Sequence, residues 1–226
     1  MTAPALLKPR EILATMQGVA GWLADDEAEL LIAAAALVTR GEGARTLVEI
    51  GSYQGRSTVV LGAALRALSP QSRLYAVDPH EGLVGAADTR LNRGSPTFEA
   101  FMANIAAAGV SELVQPLRSL SYETEWDRPI HLLFVDGLHD RMNVERDFRH
   151  FERFLAPGAI VLFHDYADYY PGVVQFVDLL VADEGWQIVD RASSMIMLHR
   201  QARPEPERRR ANEGREGART PPIWQD

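Results

Sequence analysis

Two stretches, Leu132-Leu133-Phe134-Val135 and Ile160-Val161-Leu162-Phe163, are apolar at every position, and polar, chemically versatile residues follow each one directly. A strand with one wet face alternates apolar and polar residues. An unbroken apolar run bounded by turn residues suits a strand covered on both sides, as in a parallel sheet. Three further short runs, Thr46–Ile50, Arg73–Val77 and Leu113–Leu117, read as strands, and the two continuous runs extend to Ile130–Val135 and Ala159–Phe163. Between them lie helix-period segments at Ser57–Leu68, Thr97–Ala108 and Asn143–Leu155. Strand–helix alternation implies right-handed crossovers and helices on both faces, hence an α/β, Rossmann-like doubly wound fold.

The chain flanks this alternation with other material. Pro9 to Arg40 reads as one or two helices, with Ile12, Met16 and Val19 at helical spacing and Asp25-Asp26-Glu27 as first-turn acids. After Pro171 a helix (Val173–Ala182) precedes two short strands, Trp186–Val189 and Ser194–Leu198, which form an antiparallel hairpin at the end of the sheet. From Gln201 onward core-forming residues almost vanish and a loosely attached, disordered tail is expected. The organisation is therefore an N-terminal helical cap (1–40), an α/β domain (41–200) and a tail (201–226).

Composition narrows the chemistry. The 226 residues contain no cysteine, which removes disulfides and thiolate metal sites. A formal net charge of −8 argues against a nucleic-acid partner. Residues 1–10 lack a signal-type apolar run and Leu30–Val38 is too short to span a bilayer, so a cytoplasmic protein without a membrane partner is expected.

Candidate binding residues cluster where strands end. Val48-Glu49-Ile50-Gly51-Ser52-Tyr53-Gln54-Gly55-Arg56-Ser57-Thr58 carries a strand into a helix. Gly51 permits a tight turn, Gly55 allows a ligand close to the backbone, and Ser57 or Thr58 can cap the helix. The spacing is neither the dinucleotide glycine pattern nor a Walker loop, and Glu49 would repel a pyrophosphate while suiting a cationic ligand; a plain strand–helix turn is the alternative. Asp78, ending the second strand, is placed to accept hydrogen bonds from ribose hydroxyls, or else belongs to an Asp-Pro turn. Asp136, His164 and Asp165 follow the two apolar strands and would converge. They either bind a divalent ion, with His139 as general base on a substrate hydroxyl, or simply shape the pocket. Asp136 could also touch the cofactor. His131, His150 and His199 read as surface or packing residues, and His80 is ambiguous. Gly82–Ser95, with Asp88, Arg90 and Arg93, reads as a substrate-covering lid or a surface loop.

At Val48–Thr58, Val77-Asp78-Pro79, Phe134–His139 and Pro157–Asp165 the chain resembles class I S-adenosylmethionine-dependent methyltransferases of family 24. These are related to macrocin and other sugar O-methyltransferases and to CmcI-like proteins of cephalosporin biosynthesis. The resemblance covers about Leu30 to Leu198. It implies a seven-stranded sheet with an antiparallel last strand and a cofactor pocket lined by Glu49, Gly51, Ser52 and Asp78. Tyr53, Gly55, Ser57 and Asp136 join that candidate set, and Ser119 falls on the adenine side. It also implies Mg²⁺ held by an acid at Asp136 and two consecutive acids, with His139 as base. His164 stands where an acid is expected and only Asp165 agrees, which makes Mg²⁺ a poorer match than another divalent ion.

The expected activity is methyl transfer to a hydroxyl of a small molecule, a sugar or natural-product scaffold, by a protein that could pair as a homodimer. An NAD(P)-dependent oxidoreductase is the second reading, disfavoured by the missing glycine pattern and by Glu49. A non-catalytic S-adenosylmethionine-binding protein is the third.

Overall fold

The computed structural model describes residues 8–88 and 90–200. The expected tail therefore lies outside the described residues. Within them, strands β1 (Thr46–Ile50), β2 (Arg73–Val77), β5 (Val114–Leu117), β6 (Ile130–Val135), β7 (Leu155–Phe163), β8 (Trp186–Ala192) and β9 (Met195–Arg200) form one seven-stranded sheet in the order β5-β2-β1-β6-β7-β9-β8. The first five are parallel. β9 inserts antiparallel between β7 and β8, so the expected closing hairpin is present with the last strand inside the sheet rather than at its rim. A separate two-stranded hairpin, β3 (Leu83–Ala86) and β4 (Arg90–Arg93), occupies the segment read as a lid or loop.

Both sheet faces are covered, which explains the unbroken apolar runs. On one face α3 (Arg56–Leu68) and α4 (Phe98–Ala107) pack with the two N-terminal helices, α1 (Pro9–Met16) and α2 (Asp25–Val38). On the other lie α5 (Arg141–Glu152) and α6 (Pro171–Asp183), where Phe148, Phe163 and Phe176 meet in edge-on and tilted contacts. Leu132, Phe134, Ile160 and Leu162 point to the first layer, and Leu133, Val135, Val161 and Phe163 to the second, so side chains alternate between two dry faces.

The N-terminal helices belong to the same core, with Met16, Ala28 and Leu31 fully buried. Arg56 ties their connection down, donating to the carbonyls of Met16, Val19 and Leu23 at 2.8–2.9 Å. The Asp25–Glu27 triplet does open α2, and Glu27 Oε2 accepts the Ala24 N–H at 2.9 Å. No helix among the described residues is long and apolar enough to cross a membrane.

Candidate active site

The strands of a parallel sheet all present their carboxyl ends on one side, and ligands of doubly wound folds bind there. In this molecule a cavity of about 570 Å³ opens beyond β1, β2, β6 and β7, a size usual for cofactor and substrate sites. Gly51, Tyr53, Asp78, Asp136, His139, His164 and Asp165 all line it, so seven of the sequence-derived candidates come together. The β3–β4 hairpin roofs it with Leu83, Val84 and Asn92, while Asp88, Arg90 and Arg93 stay outside its lining and are exposed or, for Arg93, paired with Glu81 at 3.8 Å.

The β1 loop is built for close backbone approach. Gly51 has φ +86°, and a Cβ there would collide with the Asp136 carbonyl, so glycine is required by the neighbouring strand. Tyr53 and His80 also adopt left-handed φ values, 46° and 58°, costly for side chains with a Cβ. Asp78 holds both: Oδ2 accepts the Tyr53 N–H at 2.7 Å and Oδ1 the His80 N–H at 2.6 Å. Each carboxylate oxygen keeps capacity for a ligand hydroxyl.

Several expectations for this half are corrected. Ser57 and Thr58 do not cap α3, whose N-cap is the left-handed Gly55. Their hydroxyls donate instead to the two carboxylate oxygens of Glu49, Thr58 at 2.5 Å. Glu49 is fully buried beneath the loop, outside the cavity lining, and burial pushes its carboxyl up to about 7. Gly55 is needed for its φ of +91° and for Phe101, whose ring a Cβ would press, and it does not face the cavity. Ser52 lines a small side cavity of about 30 Å³ together with Ser57 and Arg56, and its buried Oγ has no partner. Ser119 is absent from the lining because its hydroxyl bonds to Thr124 at 2.6 Å; Leu120, Ser121 and Tyr122 take that wall.

The other half is an assembly of acids and imidazoles. His139 Nε2 lies 3.0 Å from Asp165 Oδ2 and 3.6 Å from Asp136 Oδ1. Neither ring nitrogen of His139 makes a well-aligned hydrogen bond, and Tyr170 stacks on the ring at 4.3 Å. The Asp136, His139 and Asp165 ligand atoms lie within 4.8 Å of one another. His164, almost fully buried, directs Nδ1 toward Asp136 Oδ1 at 3.2 Å and Asp165 Oδ2 at 3.3 Å. Burial opposes a charge on this imidazole, but Asp136, Asp165 and Glu27 together raise it far above the ordinary histidine range. Burial likewise opposes ionisation of Asp136, and His164 and His139 outweigh it, holding the carboxyl low.

Sequence reasoning missed several residues of this site. Glu27 arrives from α2, and its Oε2 accepts from His164 Nε2 at 3.0 Å. Asp147, at the Ser121 corner, accepts the Ser121 hydroxyl and is raised by burial to about 6. Trp22, 68% exposed on the α1–α2 connection, sits against Tyr53 at the cavity mouth. No local pattern flags them: Glu27 reads as a first-turn acid and Asp147 as one charge on a mixed helix face. The ambiguous His80 is a packing residue, edge-on to Phe98 and tilted against Phe101, with Nδ1 on Thr97 Oγ1 at 2.9 Å. His131 and His150 are likewise structural, bonding the Thr46 N–H and the Thr124 carbonyl.

Known proteins share this fold. The O-methyltransferase NovP superposes with a TM-score of 0.67 at 15% identity, covering 78% of this chain and 80% of its own. An O-methyltransferase from Bacillus cereus in complex with SAH gives 0.59 at 17% identity, over 85% and 89% of the two chains. TomG from Streptomyces achromogenes, an O-methyltransferase of tomaymycin synthesis in complex with SAM, gives 0.56 at 20% identity, over 86% and 91%. These likenesses establish the fold. The sequence profile of family 24, described as a methyltransferase domain, matches residues 48–166, more than half of the chain and the stretch holding Glu49, Gly51, Asp78, Asp136, His139, His164 and Asp165. On that match the chain belongs to methyltransferase family 24.

Proposed function

We propose that this protein transfers a methyl group from S-adenosylmethionine to a hydroxyl oxygen of a small molecule, with His139 as general base. The observation that carries the reading is the divided cavity. One end has the glycine turn at Gly51 and the Asp78 carboxylate, with the buried unpartnered Ser52 Oγ in the small side cavity beside it, a set that fits an amino-acid tail and a ribose. The other end has His139, neither of whose ring nitrogens makes a well-aligned hydrogen bond and whose Nε2 lies beside the carboxylates of Asp165 and Asp136, a set that fits a proton to be taken.

Gly51, Ser52, Tyr53 and Asp78 hold the cofactor, Asp78 toward the ribose hydroxyls. Ser121 and Tyr122, rather than Ser119, face its base. Bound there, S-adenosylmethionine supplies an electrophilic methyl whose bond to sulfur breaks as the bond to the acceptor oxygen forms. His139 takes the hydroxyl proton, and Asp165, 3.0 Å from Nε2, offsets the positive charge the ring acquires. Tyr170 holds the ring plane by stacking, so the nitrogen need not search for the oxygen.

A divalent ion fits the same corner. Nδ1 of His164 faces two carboxylate oxygens, and only a positive centre, a proton or a metal ion, makes that approach favourable. Asp136, His164 and Asp165 are the residues that would hold the metal, leaving His139 as base. A set of two carboxylates and an imidazole suits Mn²⁺ or another first-row ion better than Mg²⁺. Such an ion would lower the pKa of the acceptor hydroxyl.

The test is calorimetric titration with S-adenosylmethionine and, separately, NADH, each in Mn²⁺, Mg²⁺ and EDTA. It is followed by incubation with methyl-labelled cofactor and a panel of sugar and phenolic hydroxyl acceptors. Cofactor binding with label appearing in an acceptor is the expected result. Binding of NADH alone would end the proposal.

A further inference from the structure

Glu27 is only 2% exposed, and its carboxylate is saturated. Oε1 accepts the Ser194 N–H at 3.0 Å and the Ser194 hydroxyl at 2.7 Å; Oε2 accepts the Ala24 N–H at 2.9 Å and His164 Nε2–H at 3.0 Å. A carboxylate offers about four acceptor positions, so all are engaged and the group has one orientation. An acid that only closed a helix start would need the Ala24 bond alone and could remain at the surface. Three of the four donors here come from the far end of the chain, at the β8–β9 turn and the carboxyl end of β7.

The geometry has one effect on the site. With Nε2 donating to Glu27, the His164 ring cannot rotate or exchange its two nitrogens, and Nδ1 is left aimed at Asp136 Oδ1 and Asp165 Oδ2. The ring of Phe134 lies edge-on to it at 6.3 Å, closing another side. Position 164 carries an imidazole where the family resemblance leads one to expect an acid, and Glu27 returns a carboxylate directly behind that imidazole. A carboxylate that bonds one histidine nitrogen fixes what the other presents, whether to a metal ion or to a proton.

We propose that Glu27, carried on the N-terminal helix α2, is a positioning residue of the methyl-transfer site, fixing His164 so that Nδ1 faces the gap between Asp136 and Asp165. The assignment rests on the reading of that site as a methyl-transfer centre. It makes the helical cap part of the active site, although the cap precedes the residues matched to the family.

Two measurements test it. Nitrogen NMR of histidine-labelled wild-type protein should show His164 protonated at Nε2. An unprotonated Nε2 in the folded protein overturns the proposal, and this arm decides the matter even if a substituted chain fails to fold. Glu27→Gln should lower kcat about 10- to 100-fold, with the affinity for S-adenosylmethionine held within about twofold of wild type. Placed on a His164→Asn background, the same substitution should change kcat less than about twofold, because the residue it acts through is gone. An equal loss in both backgrounds, or wild-type kcat in Glu27→Gln, overturns the positioning role. A wild-type protein that binds no S-adenosylmethionine would end the reading of the site, while the NMR arm still judges the Glu27–His164 bond.

Discussion

The two ends of the cavity hold their carboxylates in different ways. At the β1–β2 end the acids are satisfied locally, Glu49 by Ser57 and Thr58 and Asp78 by the N–H groups of Tyr53 and His80, all within 25 residues of their partners, and the buried atoms left without one there, Ser52 Oγ and His80 Nε2, belong to neutral or packing side chains. At the β6–β7 end, His139 and the Nδ1 of His164 lack well-aligned partners, and the anchor that holds His164, Glu27, is 137 residues away from it. Satisfied polar groups make a rigid cradle, and buried groups kept without partners cost stability unless a ligand or a reaction uses them. On the proposed function the first end binds the cofactor and the second carries the chemistry.

The strongest way to break that contrast is His139→Ala. Removal of a general base costs roughly 10²- to 10⁴-fold in turnover, while the affinity for S-adenosylmethionine, set at the other end, is expected to stay unchanged. Steady-state rates with calorimetry on the same preparation check both halves of the statement. A variant that keeps its turnover, or loses cofactor binding in equal measure, would erase the division of labour.

A second effect, in stability, sharpens the binding end. The Glu49 carboxyl is raised to about 7 from 4.5, so the folded chain holds this proton more tightly than the unfolded one does. The stability this proton confers is complete below about pH 4.5, is lost as pH rises to about 7, and is flat above. At about 1.4 kcal/mol per pH unit the difference amounts to about 3 kcal/mol. Glu49→Gln cannot titrate, so the gap between wild-type and variant unfolding free energies should shift by about that amount between pH 4.5 and 7.5, against the wild type at the higher pH. Urea melts at the two pH values measure it; parallel curves would show that Glu49 is ionised throughout.

The same division decides what could be read from the sequence. The limits of β1, β2 and β6 are legible because each ends on a β-branched apolar residue, Ile50, Val77 or Val135, followed at once by a turn or acidic residue, Gly51, Asp78 or Asp136. The closing hairpin was legible from two short runs around Asp190–Ser193, though not the insertion of β9 between β7 and β8, which depends on strand order. The β3–β4 hairpin was hidden, since Leu83–Ala86 and Arg90–Arg93 carry no strand-like alternation. Tertiary bonds hold it instead: the His139 N–H donates to the Gly85 carbonyl at 3.0 Å and the Ala87 N–H to Asp140 Oδ2 at 3.2 Å. At the chemical end the residue types were visible but not their partners. Spacing placed Asp136 and His139 three residues apart, and nothing in spacing could bring Glu27 to His164.

Asp78→Ala probes the cradle from inside. It leaves the Tyr53 and His80 N–H groups, both on left-handed residues, without their acceptor, and it removes the bond proposed for the ribose. A hydrogen bond to a charged group is worth about 1.5–3 kcal/mol, so cofactor affinity should fall about 10- to 100-fold. Calorimetric titration reads this directly. An unchanged Kd would mean that Asp78 serves the turn alone and that another residue meets the ribose.

The smallest effect tests how sharply the cavity wall is drawn. Family resemblance places Ser119 on the adenine side, yet its hydroxyl is spent on Thr124, and the wall begins one residue later at Leu120. Ser119→Ala removes one hydrogen bond between two hydroxyls on a half-buried turn, a loss of about 1 kcal/mol or less in stability. It should change the affinity for S-adenosylmethionine by less than about twofold. Ser121→Ala, by contrast, alters the cavity lining and strips Asp147 of its hydrogen-bond donor, so it should weaken binding several-fold more. If the two variants exchanged these outcomes, the adenine end of the cradle would have to be redrawn through Ser119, and the turn at Ser121–Glu123 would be scaffolding rather than wall.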